Sequence, residues 1–406
     1  MDHLLFLTQR IPYPPDKGDK IRAWQMLRHL AGRYHVHLGC LYDDAHDAQY
    51  IGFLEGTCAS VCCRPLHPRI AKLRSLAGLI SGEPLTLAYF RDAGLQRWVD
   101  DTVAAYRPRR IFVFSSAMAP YVQHHPAEMR VLDMVDVDSD KWRQYAPTKK
   151  WPLSAIYARE HRTLAAFERR MAGAFTATLL VSRAEAALFA SFAPVESARV
   201  TVLRNGIDTA HFDPDHAWPN PYRRHGPVLV FTGAMDYWPN IEGVTWLAHE
   251  ILPLLRLRWP ALEFWIVGVN PAAAVRRLAN HDGIHVTGRV EDVRPYLRHA
   301  AAVVVPLRIA RGIQNKVLEA MAMARSVVLT PESREGIEAK DGDEVLLAGT
   351  AGAFADRVAA VLSGAHPELG NRARGRVAKD YQWNFTILDE IMESGNPALV
   401  VAGGER

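Results

Sequence analysis

Hydrophobic positions along the chain come in two kinds of run. Short, almost unbroken apolar blocks, namely HLLFLT, YHVHLGCLY, RRIFVFSS, MRVLDMV, TATLLVS and RVTVLRN, predict strands. Between them, longer segments repeat apolar residues at helical spacing. KIRAWQMLRHLA sets Ile21, Trp24, Leu27 and Leu30 on one face, and LQRWVDDTVAAY and IYAREHRTLAAFERRMAGAF follow the same period. Strands separated by helices predict βαβ units and a parallel sheet.

The alternation stops at residues 205–227, a stretch rich in Pro, Asn, Asp and Gly with almost no periodicity. It predicts a linker. A second alternating block follows, with PVLVFTG, LEFWIVG, IHVTG, AAVVVPL, SVVLT and EVLLA as strands. Nearly continuous Val/Ile/Leu strands imply sheets covered on both faces. The predicted class is α/β: two doubly wound, Rossmann-like parallel-sheet domains facing across a cleft, spanning residues 1–204 and 228–380. Ligands in such folds bind beyond the carboxyl ends of the strands.

A chain of 406 residues exceeds one ordinary core, which agrees with two domains. The formal charge of +4 is small for this length and offers no bulk attraction for nucleic acid. The apolar run at the N-terminus is too short for a signal peptide, and no stretch reaches about 18 uncharged apolar residues, so a cytoplasmic location is expected. Cys40, Cys58, Cys62 and Cys63 form no CxxC pair and are expected to be reduced core thiols rather than metal ligands.

One segment carries recognisable chemistry. GIQNKVLEAMAMA, residues 312–324, follows the strand AAVVVPL and so starts where a strand end meets a helix N-terminus. Gly312 lets backbone approach a ligand, and Gln314 or Asn315 can cap the helix. First-turn N–H groups form an anion site, and Lys316 adds a mobile positive charge suited to phosphate. Glu319 lies one turn on, where a carboxylate can accept hydrogen bonds from adjacent ribose hydroxyls. Together these predict a receptor for a nucleoside diphosphate.

With that helix, RNGID and HF at 204–212, FTGAMDYWPN at 231–240 and HVTGRVEDVRPYLRHA at 285–300 make the chain resemble GT-B glycosyltransferases of the retaining family 4 type. The likeness is greatest to sugar transferases of PEP-CTERM/exosortase polysaccharide systems, and it runs to about Trp383. The resemblance implies sugar transfer from a UDP- or GDP-linked donor, with retention and without a metal or other cofactor. It implies a glycan or polyprenyl-linked acceptor in exopolysaccharide biosynthesis. It places Gly18, just before a helix in PPDKGDKIR, toward the donor diphosphate, and Gly233 at the first loop of the donor domain. It also has the segment 381–406 cross back to the first domain. The chain departs from the family in one respect: Glu319 matches the second of two glutamates eight residues apart, and Arg311 stands where the first would be. Nor does a basic residue follow Gly233, so Lys316, with Arg308 or Arg289, is left to supply the phosphate charge. Lys20 and Arg22 read equally as solvated helix charges or as phosphate contacts.

VLDMVDVDSDKW clusters Asp133, Asp136 and Asp138 near a strand end. Like charges this close raise a pKa. Asp136 or Asp138 could then deprotonate an acceptor hydroxyl, or the run could be a turn that caps the next helix. Residues 67–82 set Ile70, Leu73, Ala77 and Ile80 on one face among Arg69, Lys72 and Arg74. Such a helix either packs that face inward or lies as a peripheral element on an anionic membrane. Two other functions fit the same pattern: a nucleotide-sugar epimerase, and a non-catalytic nucleotide- or glycan-binding scaffold.

Overall fold

The computed structural model describes residues 1–15, 18–223, 226–310 and 312–394. It divides into two units, one made of Met1–Leu203 with the helix Thr386–Ser394, the other of Arg204–Asn384.

The first unit is built on a seven-stranded parallel sheet ordered β3-β2-β1-β4-β5-β6-β7. The strands are β1 (His3–Thr8), β2 (His35–Tyr42), β3 (Ser60–Pro65), β4 (Arg110–Phe114), β5 (Met129–Val135), β6 (Ala177–Leu180) and β7 (Val200–Val202). In β1 the successive residues Leu4, Leu5, Phe6 and Leu7 are all fully buried, so both faces of the sheet are covered. The pattern predicted six strands here. The one it lacked, β3, reads SVCCRP and sits at the sheet edge, half-buried, without a Val/Ile/Leu run. This also revises the expected core thiols. All four cysteines are free, but Cys40 and Cys58 are buried whereas Cys62 and Cys63, on β3, are only partly so.

The helix Gly18–Ala31 is buried on more than its expected apolar face, because Arg22, Ala23, Gln25 and Met26 are enclosed as well. Lys20 and Arg22 are therefore neither solvated nor aimed at a phosphate. Lys20 Nζ pairs with Asp47 at 2.9 Å, and Arg22 binds Asp133 through Nε and Nη2 at 2.8 and 3.1 Å. Burial of a charge is tolerated only with a partner of this kind. The helix Thr386–Ser394 joins this unit through Leu388, Ile391 and Met392. His29 pairs with Asp389 at 2.6 Å.

The second unit carries a six-stranded parallel sheet ordered β10-β9-β8-β11-β12-β13. Its strands are β8 (Val228–Thr232), β9 (Glu263–Val267), β10 (Ile284–Gly288), β11 (Ala302–Val305), β12 (Val327–Leu329) and β13 (Leu346–Leu347). The irregular stretch after Arg204 belongs to this unit. Ile207 donates its N–H to Tyr381 O at 2.7 Å, and Tyr222 Oη donates to Tyr296 O at 2.6 Å. In each sheet the strand order reverses once, between β1 and β4 and between β8 and β11. At such a switch point the flanking connections leave in opposite directions and open a crevice.

Candidate active site

In the second unit the switch point brings three elements together. β8 ends at Thr232 and the chain turns through Gly233, whose φ of +154° disfavours any other residue. A Cβ there would lie 2.9 Å from Asn240 Nδ2 and 3.0 Å from Lys316 Nζ. The helix Trp238–Trp246 carries Pro239 in its first turn, where no N–H partner is needed, and so presents Asn240 to the loop. Asn240 donates to Ala234 O at 2.8 Å and accepts from Lys316 Nζ at 2.7 Å. Lys316 comes from the other side of the switch, on the helix Asn315–Ala322 that follows β11. Its Nζ also stands 4.3 Å from the centre of the Phe231 ring, a cation–π contact.

Gly312, at φ +61°, provides the left-handed turn into that helix. Gln314 takes the cap position but makes no side-chain cap bond there, contrary to the capping role expected of it or of Asn315. Asn315 instead accepts a 3.3 Å bond from Asn205 Nδ2. The donors left at the helix N-terminus are thus backbone groups. Val317, Leu318, Ala320 and Met321 bury one side, while Lys316 and Glu319 share the partly exposed side.

Burial pulls the Lys316 ammonium down to about 7 against the opposing influence of Glu319. Burial likewise pushes the Glu319 carboxyl up to about 7 against Lys316. Each is poised to gain a strong partner: an anion for the lysine, hydroxyl donors for the glutamate. Arg308, just beyond β11, is exposed, ion-paired with Glu242 and stacked 5.5 Å over Trp246. Arg289 is exposed directly after Gly288 at the end of β10. Arg311 lies outside the described residues. Among the described residues, no three His, Cys, Asp or Glu side chains are grouped to hold a metal.

Residues 226–364 match the family model described as glycosyl transferases group 1. This part of the chain is a glycosyltransferase domain. No curated protein matches the chain. Solved structures share the whole fold at low identity. Sucrose-phosphate synthase from Thermosynechococcus elongatus superposes with a TM-score of 0.70 at 15% identity, covering 99% of this chain and 100% of that one. Anabaena Alr3699/HepE in complex with UDP and glucose gives 0.67 at 15%, covering 97% and 99%. WaaG, a glycosyltransferase involved in lipopolysaccharide biosynthesis, gives 0.63 at 16%, covering 99% and 100%. The architecture is GT-B.

The other candidates lie in the first unit, at the ends of β1 and β5. Gly18 is the exposed first residue of the helix Gly18–Ala31. Asp133 is committed to Arg22 and to the Val135 N–H, so it is a structural member of the acidic cluster. Asp136 and Asp138 are partly exposed in the loop beyond β5, Asp138 as the first residue of the helix Asp138–Tyr145. Burial raises the Asp138 pKa and Asp19 adds to it, against Lys141.

Three features here were not foreseen. Val135, immediately before Asp136, sits at φ +67°, a region that β-branched residues avoid and that marks functional turns. Two buried glutamates hold the loop from behind. Glu185 accepts the Val137 N–H at 2.7 Å, while Glu168 accepts the N–H and hydroxyl of Ser139 at 3.1 and 2.5 Å. Burial pushes Glu168 up to about 8. Neither glutamate had a sequence signal, since both lie on helices remote from the loop. Asn240 was visible in YWPN, but only the turn at Gly233 brings it to Lys316.

Proposed function

We propose that the protein transfers a sugar from a nucleotide-sugar to a hydroxyl of a growing glycan. The observation carrying this reading is the convergence of Gly233, Asn240 and Lys316 at the switch point of the second sheet, with Glu319 one turn on. Lys316 and the first N–H groups of its helix would stabilise the departing diphosphate, where negative charge grows in the transition state. Glu319 would hold the ribose hydroxyls. Gly233 leaves the backbone bare where the phosphates pass.

Asp136 and Asp138 are the proposed proton acceptors for the acceptor hydroxyl, and its raised pKa makes Asp138 a stronger base than an ordinary carboxylate. Retention, independence from metal, a lipid-linked acceptor and a place in exopolysaccharide assembly follow from the likeness to family 4 transferases of the exosortase-associated type. UDP is the first nucleotide to test, because HepE, of similar fold, binds it. Thermal-shift titration with UDP-, GDP- and ADP-sugars tests the reading. A specific donor should raise Tm by mass action in the wild type and not in Lys316→Met. If no donor shifts Tm at millimolar concentration, or if Lys316→Met shifts as the wild type does, the proposal fails.

A further inference from the structure

The helices Pro68–Ser75 and Gly78–Ser81 are amphipathic in the reverse of the usual sense. The residues they bury are small: Ala71, Ser75 and Gly78. Ala71 and Ser75, four apart, lie on one face of the first helix, and Gly78 opens the second. Gly78 is held close, since a Cβ there would lie 2.9 Å from Glu83 O. The large aliphatics point the other way. Ile80 is 94% exposed, Leu73 71% and Ile70 61%, with Leu76 and Leu79 also exposed. One exposed leucine is unremarkable, but five large aliphatics in eleven consecutive residues form a contiguous patch of the kind that marks an interaction surface.

A second segment of the same unit is exposed, apolar and basic in the same way. Lys149, Lys150, Trp151, Pro152 and Leu153 are all exposed, Trp151 at 82%. They enter the helix Leu153–Ala174, which is fastened beside the first pair. Arg159 donates to Gly78 O at 2.7 Å, and Glu160 accepts the N–H groups of Leu85 and Thr86 at 2.7 and 2.8 Å. Leu153, the first residue of that helix, is about 9 Å along it from Arg159, and Trp151 lies two residues before it.

Within each segment every charged side chain is basic. Residues 64–82 contain no Asp or Glu, nor do residues 141–159. Arg69, Lys72, Lys149 and Lys150 are exposed among the apolar side chains. We infer that this face docks on an anionic lipid bilayer. The aliphatics enter the boundary between headgroups and acyl chains, Trp151 sits at the interface where its ring is both apolar and able to donate a hydrogen bond, and the four basic residues meet anionic headgroups. A protein partner would need an equally acidic, equally apolar surface; a bilayer offers both along its whole plane. The inference stands without the proposed donor chemistry, although it would deliver the transferase to a lipid-borne acceptor.

Vesicle flotation of the full chain tests it, comparing phosphatidylcholine vesicles with vesicles enriched in phosphatidylglycerol. The wild type should float with the anionic vesicles at low salt and be released as salt rises. Leu73→Ser with Ile80→Ser should lower the partition coefficient at least about tenfold. Lys149→Glu with Lys150→Glu should lower it by about fivefold or more for each lysine. Both variants should keep the wild-type Tm and the wild-type response to donor, because these side chains are exposed and belong to the first unit. The inference is overturned if the wild type stays unbound with anionic vesicles at low salt, as it would if an acidic protein were the occupant. It is overturned equally if the variants bind as well as wild type, or if the serine pair unfolds the chain as a core substitution would.

Discussion

Lys316 Nζ donates to Asn240 Oδ1 across 2.7 Å, joining the helix after β11 to the helix after β8 over the switch point of the second sheet. The acceptor is a neutral amide, itself aimed by its bond to Ala234 O. The ammonium is thus positioned without being neutralised by that bond, and its positive charge remains directed at the crevice. A carboxylate in place of Asn240 would hold the lysine more tightly and weaken it as a phosphate ligand.

Substitutions at this pair should act on the diphosphate. Lys316→Met is expected to weaken UDP or GDP binding by about tenfold to a hundredfold, the range of one charge-assisted hydrogen bond. Asn240→Asp should weaken it too while raising the lysine pKa, and Asn240→Ala should lie between Asp and wild type. Calorimetric titration with the free nucleotide checks the order. Equal affinities in all four proteins would remove Lys316 from the site.

The two titrating groups set a pH window. Donor binding needs Lys316 charged and Glu319 ionised, and both change state at about 7 in the free protein. Affinity should therefore peak near pH 7, with an alkaline limb abolished by Lys316→Met and an acid limb abolished by Glu319→Gln. Stability of the free protein runs opposite. The depressed Lys316 adds stability above its unfolded value that is lost as pH falls from about 10.5 to about 7. The raised Glu319 adds stability below about 4.5 that is lost as pH rises to about 7. Their joint contribution is smallest where binding is strongest, so the donor-induced shift in Tm should be largest near pH 7.

At the other candidate centre, Asp136→Asn and Asp138→Asn should separate the proton acceptor from its neighbour. The residue that takes the proton should lose about two to four orders of magnitude in kcat with nucleotide affinity unchanged. The other should change little. Wild-type turnover in both variants would exclude the cluster from catalysis.

Arg22 and Asp133 are both fully buried, and Arg22 Nη1 also donates to Leu203 O at 2.7 Å, at the boundary of the first unit. Arg22→Met leaves the Asp133 charge buried with its principal partner gone and should cost about 3–5 kcal/mol in chemical denaturation. Arg22→Met combined with Asp133→Leu should recover most of that loss. A single variant as stable as wild type would show that the pair is not enclosed.

The architecture of two parallel sheets was legible because strands covered on both faces require unbroken apolar runs. HLLFLT and AAVVVPL announce themselves whatever surrounds them. Lys316 and Glu319 were legible for a related local reason: residues three apart on a helix must share a side. The edge strand SVCCRP had no such run, and Asn240 and Glu168 reach their partners only through chain distant in sequence.

What the sequence determined by itself, then, was the alternation of strands and helices, the presence of two sheets and the helical spacing of the lysine and glutamate, all consequences of interactions within a few residues. Only the tertiary structure decided which charges are enclosed and which are presented. Lys20 meets Asp47 and Arg22 meets Asp133 across long stretches of chain. The helices at 68–81 turn small residues inward, and at Gly78 the backbone of Glu83 leaves no room for a larger one. Helical period says which residues lie together on a face, but the depth of the surface opposite says which face goes inside.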